Sequence, residues 1–284
     1  MILVFGKSGQ VATELARQGD VVCLGRAEAD LMQPGLAEAE IAAHAPTVVI
    51  NASAWTAVDK AETEEAAALR LNAEAPAEMA RACAAANEGR GIPFLHVSTD
   101  YVFAGTGDAP WAETDPVAPQ NAYGRSKLAG EDAVRDAGGN SLILRTSWVF
   151  SAHGANFVKT MLRLAETRDT LTVVADQVGG PTPADDIART LLACAEAMAG
   201  GQRGGTYHYA GAPETSWAGF AREIFVRAGR PVTVEDIPSS AFPTPAARPL
   251  NSRLDCARLA ADFGITQPDW RRGLARVLEE LGAA

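Results

Sequence analysis

Short, unbroken apolar runs alternate with longer amphipathic stretches through the first half of the chain. Ile2, Leu3, Val4 and Phe5 form the first run, followed by a glycine-bearing turn and a helical pattern over 10–17. The alternation repeats with strands over 21–24, 47–50, 92–97 and 142–144. Between them lie helical patterns over 34–43, 60–86 and 122–136, the first opened by Pro34, where a missing N–H costs least. Strands that alternate with helices predict a parallel sheet covered on both faces, and their continuous apolar character fits burial from both sides. Right-handed crossovers then give an α/β, doubly wound parallel sheet.

The pattern changes after about residue 150. A strand candidate over 171–174, a helix over 184–199 and a glycine-rich loop over 200–205 come first. A short strand over 206–209, a helix over 217–227 and an irregular segment with Pro238, Pro243, Pro245 and Pro249 follow. An amphipathic helix over 270–281 closes the chain. The expected division is a dinucleotide-binding domain over 1–150, completed by parts of 170–200, and a smaller C-terminal substrate-binding lobe over 151–284, interwoven with the sheet.

Composition narrows the function. The 284 residues carry a formal net charge of -10, which disfavours general nucleic-acid binding. Cys23, Cys83, Cys194 and Cys256 are isolated, so neither a disulfide framework nor a cysteine-based zinc site is expected. His44, His96, His153 and His208 are also scattered, with no metal-type pair among them. No basic leader precedes Ile2 and no stretch reaches the length of a membrane span, so a soluble, cytoplasmic protein is expected.

The turn after the first strand reads Gly6-Lys7-Ser8-Gly9-Gln10-Val11-Ala12. Gly6 permits a tight turn, Gly9 lets a pyrophosphate approach the backbone, and Ala12 lets the helix pack on the sheet. The helix start offers free N–H groups and a positive dipole end to an anion. A P-loop would need a further glycine five residues before Gly6, where Met1 stands. The second strand ends in Gly25-Arg26, where an acidic residue would select the 2′-hydroxyl of NAD. Arg26 instead suits a 2′-phosphate and favours NADPH, with NADH as the alternative cofactor. Asp30 and Leu31 would border the adenine.

Tyr123 and Lys127 stand four residues apart in a helical pattern and so share a face. An ammonium beside a phenol lowers the phenol's pKa and makes it a usable proton donor to a carbonyl oxygen. Ser98 and Thr99 leave the fourth strand at its carboxyl end, where α/β sheets bind ligands. The alternative for these residues is turn and capping chemistry.

With these motifs in order, the sequence resembles the extended short-chain dehydrogenase/reductase superfamily, with its Rossmann-like fold. Within it, residues 4–11, 51–62, 98–103, 121–131, 145–150, 176–182 and 248–254 are similar to the dTDP-4-dehydrorhamnose reductase family. The resemblance implies hydride transfer from a nicotinamide cofactor to C4 of a dTDP-4-keto-6-deoxy-L-hexose, a small-molecule sugar nucleotide. It implies that Tyr123 protonates the C4 oxygen, that Lys127 binds the nicotinamide ribose and tunes Tyr123, and that Thr99 bonds at the reacting centre. It further implies that Gln10, Val11, Ala54, Trp55 and Thr56 line the cofactor and that Asp100, Trp148 and Val58 contact the substrate. Arg248, Asn251 and Arg253 are candidates for the nucleotide end, because arginine suits a diphosphate.

Trp55 departs from relatives with histidine there, which bears on the nicotinamide contacts. Some relatives form a homodimer around a divalent cation such as magnesium held by glutamates. Glu14 matches one such position, so a homodimer and a divalent cation such as magnesium stay open, but the other ligands are not assigned and a solvated helix glutamate is the default reading. Sugar-nucleotide 4,6-dehydratases carry glutamate where Tyr101 stands, so dehydration is disfavoured; a 4-epimerase remains open. A different class is a non-catalytic, NADP-binding regulatory subunit such as that of methionine adenosyltransferase, which the full Thr99, Tyr123 and Lys127 set argues against.

Overall fold

Apolar runs too short for helices, and too continuous to face water on one side, become the central strands of a computed structural model described over residues 1–283. The first half runs β1 Ile2–Phe5, α1 Gln10–Gln18, β2 Val21–Leu24, α2 Leu36–His44, β3 Val48–Asn51, α3 Val58–Ala61, α4 Glu65–Leu69 and α5 Ala75–Ala85. It continues with β4 Phe94–Thr99, α6 Ala122–Asp136 and β5 Ser141–Thr146. The second half holds α7 Phe157–Leu164, β6 Thr170–Val174, α8 Ala184–Ala199, β7 Gly205–His208 and α9 Trp217–Arg227. β8 Thr233–Ile237, α10 Ala257–Phe263 and α11 Trp270–Glu280 complete it.

The main sheet has six strands in the order β7-β5-β4-β3-β1-β2. Every pairing in it is parallel, so all carboxyl ends open on one edge. The strand order reverses direction between β1 and β3, the switch point at which such sheets bind ligands. Alternate strand residues supply two cores. Val4, Val48, Ile50, Leu95, Leu142 and Leu144 pack with Leu15 of α1 and Ile187, Leu191 and Cys194 of α8. Leu3, Phe5, Val49, Phe94 and Ile143 pack with Ile41, Met79 and Val134 from α2, α5 and α6. Full burial of each such side chain contributes about 1.5–3 kcal/mol before chain entropy is counted.

The strand expected over 171–174 is present, but it lies outside the main sheet and pairs in parallel with β8. Its buried and exposed positions alternate, as befits a strand covered on one face only. With α7, α9 and α11 it builds a third core around Phe220, Phe225, Trp270 and Leu274.

The helix expected over 60–86 is broken. α3 ends at Ala61, and a wide π-type turn over Arg70–Glu74 joins α4 to α5. Pro76 has no N–H for the Asn72 carbonyl four residues back, and the Ala75 N–H reaches Arg70 instead. The widened turn lets α6 approach closely: a Cβ at Gly130 would stand 1.9 Å from the Asn72 carbonyl oxygen.

Candidate active site

A cleft of about 990 Å³ opens along the carboxyl edge of the main sheet. Gly6, Gly9, Gln10 and Val11 line one end of it. Gly6 adopts φ +123°, and a Cβ there would press on the Ala52 carbonyl oxygen at 3.1 Å and on Ala12 at 3.2 Å. Gly9 precedes α1 with no side-chain cap, so the first-turn N–H groups face the cleft without a protein partner. These features fit a pyrophosphate. Gln10 ties the turn to the opposite wall, accepting hydrogen bonds from Ser151 at 2.9 Å and Asn156 at 3.0 Å.

Arg26, Asp30 and Leu31 line the same end. Arg26 is exposed and lies 3.5 Å from Asp30, a contact that leaves its guanidinium largely in water. Sequence reasoning missed Lys7 and Glu28. Lys7 also lines the cleft and pairs with Glu28, which accepts a hydrogen bond from the Gly25 N–H. That acid follows the second strand three residues beyond Gly25, and the Lys7 ammonium holds its carboxyl below the usual range.

Ala54, Trp55, Thr56 and Val58 line the wall after β3. Asn72, another residue the sequence reading missed, fixes this loop. Its Oδ1 accepts from the Trp55 N–H at 2.8 Å and its Nδ2 donates to the Trp55 carbonyl at 3.1 Å. The same Nδ2 reaches Ser126 of α6 at 2.9 Å, so the wide turn joins the cofactor loop to the helix that bears Tyr123.

At the centre stand Thr99, Asp100, Tyr123 and Lys127, all lining the cleft. Asn121 starts α6 by accepting from the Gly124 N–H at 2.8 Å, which sets the helix that carries Tyr123 and Lys127. Thr99 accepts from the Tyr101 N–H at 3.2 Å and donates to Asp100 at 3.1 Å, so its capping and site positions coincide. Ser98 points the other way, donating to Glu131 at 2.6 Å within a buried ion pair with Arg145. Burial pushes the Tyr123 phenol up to about 12, against a smaller pull from nearby Thr99. The expected lowering of Tyr123 by Lys127 is therefore absent in this arrangement, because Lys127 donates to the Val97 carbonyl at 2.7 Å. Burial lowers Lys127 to about 8, opposed by Glu131. Burial raises Asp100 to about 7. Ser252 lies near that carboxylate and draws against the rise, and Asp100 Oδ2 has no hydrogen-bond partner among the described residues.

Trp148 lines the far wall with φ +51°, a strained conformation for a tryptophan. It stacks on Trp217 of α9 with ring centroids 3.7 Å apart and an interplanar angle of 11°. Trp217 also lines the cleft, and no local motif marked it.

Three nucleotide-end candidates are engaged elsewhere. Arg248 pairs with Asp59 at 2.8 Å, beside α3. Asn251 is buried and donates to the carbonyls of Thr106 and Ala109 at 3.3 and 2.8 Å. Arg253 pairs with Glu214. Glu14 meets His153 and Glu280 in an acidic cluster. The Arg17 Nη1 lies 3.2 Å from Glu14, 2.7 Å from Glu280 and 2.9 Å from His153. These three groups already take the Arg17 guanidinium as their hydrogen-bond partner, which offsets one of the two carboxylate charges.

The doubly wound sheet, the glycine turn and the Tyr/Lys pair in one cleft define an extended short-chain dehydrogenase/reductase. The family described as RmlD substrate binding domain matches residues 1–283. A dTDP-4-dehydrorhamnose reductase of Burkholderia thailandensis is 48% identical over 99% of this chain and 98% of its own length. The crystal structure of a dTDP-4-dehydrorhamnose reductase from Clostridium acetobutylicum superposes with a TM-score of 0.91 at 36% identity, covering 99% of both chains. The Bacillus anthracis dTDP-4-dehydrorhamnose reductase, solved in complex with NADP, gives 0.90 at 32% identity, covering 98% of both chains. The chain belongs to the dTDP-4-dehydrorhamnose reductase family.

Proposed function

We propose that the chain reduces the C4 ketone of dTDP-4-dehydro-L-rhamnose to dTDP-L-rhamnose, with NADPH as cofactor. The observation that carries this reading is the convergence of Gly6, Gly9, Thr99, Tyr123, Lys127 and Trp148 on one cleft. NADPH, when bound, supplies the hydride that becomes the new C4–H bond. Gly6, Gly9 and the first turn of α1 hold the pyrophosphate, and Lys7 with Arg26 frames the 2′-phosphate. Trp55 and Thr56 border the nicotinamide side. Tyr123 donates its phenolic proton to the C4 oxygen as the carbonyl becomes an alcohol. The Lys127 ammonium turns from the Val97 carbonyl to the ribose and the phenol, supplying the positive charge that a phenolate needs. Thr99 hydrogen-bonds the same oxygen, Asp100 the sugar, and the Trp148–Trp217 pair covers the sugar nucleotide. The cofactor part spans 1–150 with α8, and the core around Phe220 and Trp270 supports the substrate lobe.

The direct test is cofactor oxidation at 340 nm with enzymatically generated dTDP-4-dehydro-L-rhamnose, run in parallel with NADPH and NADH. Consumption with dTDP-L-rhamnose as product supports the reading, and faster turnover with NADPH supports the phosphate roles of Lys7 and Arg26. NADPH binding without consumption would favour a binding subunit instead.

A further inference from the structure

Behind Lys127 lies a buried chain of side chains that the reaction scheme leaves unused. Asn51 ends β3 and faces His96 across the strand register, and both are fully buried. The Ser53 N–H donates to Asn51 Oδ1 at 3.0 Å, which fixes the orientation of the amide. Asn51 Nδ2, which can only donate, therefore faces His96 Nδ1 at 3.1 Å. His96 Nδ1 must accept and carries no proton. A neutral imidazole has one proton, so it resides on Nε2. Nε2 lies 3.1 Å from Lys127 Nζ.

An Nε2–H directed at the amine faces a lone pair when Lys127 is a free base. It faces another donor when Lys127 is an ammonium. We propose that His96, locked in its Nε2–H tautomer by Asn51, is a positioning residue that favours the free amine of Lys127 and so sets the pH range in which Lys127 carries its charge. This deepens the reductase reading and rests on it for the role of Lys127.

The titratable groups around the pair are few. Tyr123 and Glu131 lie one turn before and after Lys127 on α6, and Asp100 follows the end of β4. From β5, Arg145 faces Glu131 at 2.7 Å, and Arg135 reaches the same carboxylate at 2.7 Å. Glu131 is thus the group that favours the ammonium, and its charge is already shared by two arginines. Burial and the Lys127 charge hold His96 well below its ordinary pKa, in keeping with a neutral ring.

Nitrogen-15 NMR of the His96 side chain in the cofactor-free protein is the first test, and it needs no activity. A protonated Nε2 with a bare Nδ1 at pH 7 is the expected result. An Nδ1–H tautomer or an imidazolium would overturn the proposal whether or not the reductase reading holds. The second test is the pH profile of kcat/KM. Wild type should lose activity on the alkaline side as Lys127 deprotonates. His96→Leu should move that limb up by about one pH unit, the tenfold effect expected for one hydrogen bond. His96→Gln keeps an N–H near the ε position and should return the limb towards its original place. A folded His96→Leu protein with an unmoved limb sinks the idea, whereas a wild-type protein inactive on the sugar nucleotide sinks the reductase reading alone.

Discussion

The two walls of the cleft are built in different ways. The wall proposed for the cofactor comes from three segments that each directly follow a strand, within residues 6–11, 25–32 and 52–58. Of its glycines, Gly6 adopts a φ of +123°, which only glycine takes readily. The wall proposed for the substrate is assembled from Thr146–Val149, Gly154, Ala155 and Trp217, segments distant in sequence. It holds the strained Trp148 and Thr146 Oγ1, which has no hydrogen-bond partner among the described residues, as is true of Asp100 Oδ2 at the centre of the cleft. Among the residues that line the cleft, Trp148 is the one non-glycine residue with a positive φ. Backbone strain and unpartnered buried groups are found preferentially at ligand sites, which fits the proposed role of this wall.

Tyr123 lies between the walls, and its loss should have the largest effect. Tyr123→Phe removes the proposed proton donor and should lower kcat by about 10²–10⁴-fold. Cofactor binding, followed by NADPH fluorescence, should stay within about twofold because the glycine turn is untouched. Near-normal turnover in this variant would remove Tyr123 from the scheme.

This contrast also explains what the sequence made legible. The turn at one end of the cleft was readable because Gly6, Gly9 and Ala12 act through local backbone geometry, which a seven-residue motif encodes. Tyr123 and Lys127 were readable because one helix fixes their spacing. Trp217 was not, because its stacking partner Trp148 is 69 residues away in sequence and only tertiary packing joins α9 to the cleft. Asn72 was hidden for a related reason. The stretch over 60–86 looked like one continuous helix, and only the wide turn before Pro76 brings the Asn72 amide to Trp55. Asn251 shows the converse: arginine- and asparagine-rich sequence suggested a ligand site, whereas its amide holds the loop at Thr106 and Ala109.

Asp100 tests whether the substrate wall carries a stability cost. Its folded pKa, about 7, lies above the usual value of 3.8, so between these pH values the folded state binds the extra proton. Stability should therefore fall as pH rises through this window. Asp100→Asn should be close to neutral at pH 4 and stabilising at pH 8 by a few kcal/mol, read as a higher Tm. A pH-independent change in Tm would show that Asp100 finds a partner on this wall and would weaken the contrast.

Trp217→Ala should separate the walls by binding. An aromatic stack adds about 0.5–1.5 kcal/mol beyond its buried area, so KM for the sugar nucleotide should rise about tenfold once area is included. The dissociation constant for NADPH should not change. Equal losses for both ligands would mean that the Trp148–Trp217 pair supports the whole cleft rather than one side.

Arg26→Ala probes the cofactor wall at its most exposed point and should give the smallest effect. The Arg26 side chain is 83% exposed, so water and salt screen whatever charge it meets. Lys7, on the same wall, supplies a second cation and should retain part of the binding. KM for NADPH should therefore rise only about threefold at moderate salt, and less at high salt. KM for NADH should stay constant, because NADH lacks the 2′-phosphate. Adding Lys7→Ala should widen the gap between the two cofactors if both cations serve the phosphate. If the double variant weakens NADPH and NADH equally, the two residues shape the loop after β2 and the cofactor preference arises elsewhere on this wall.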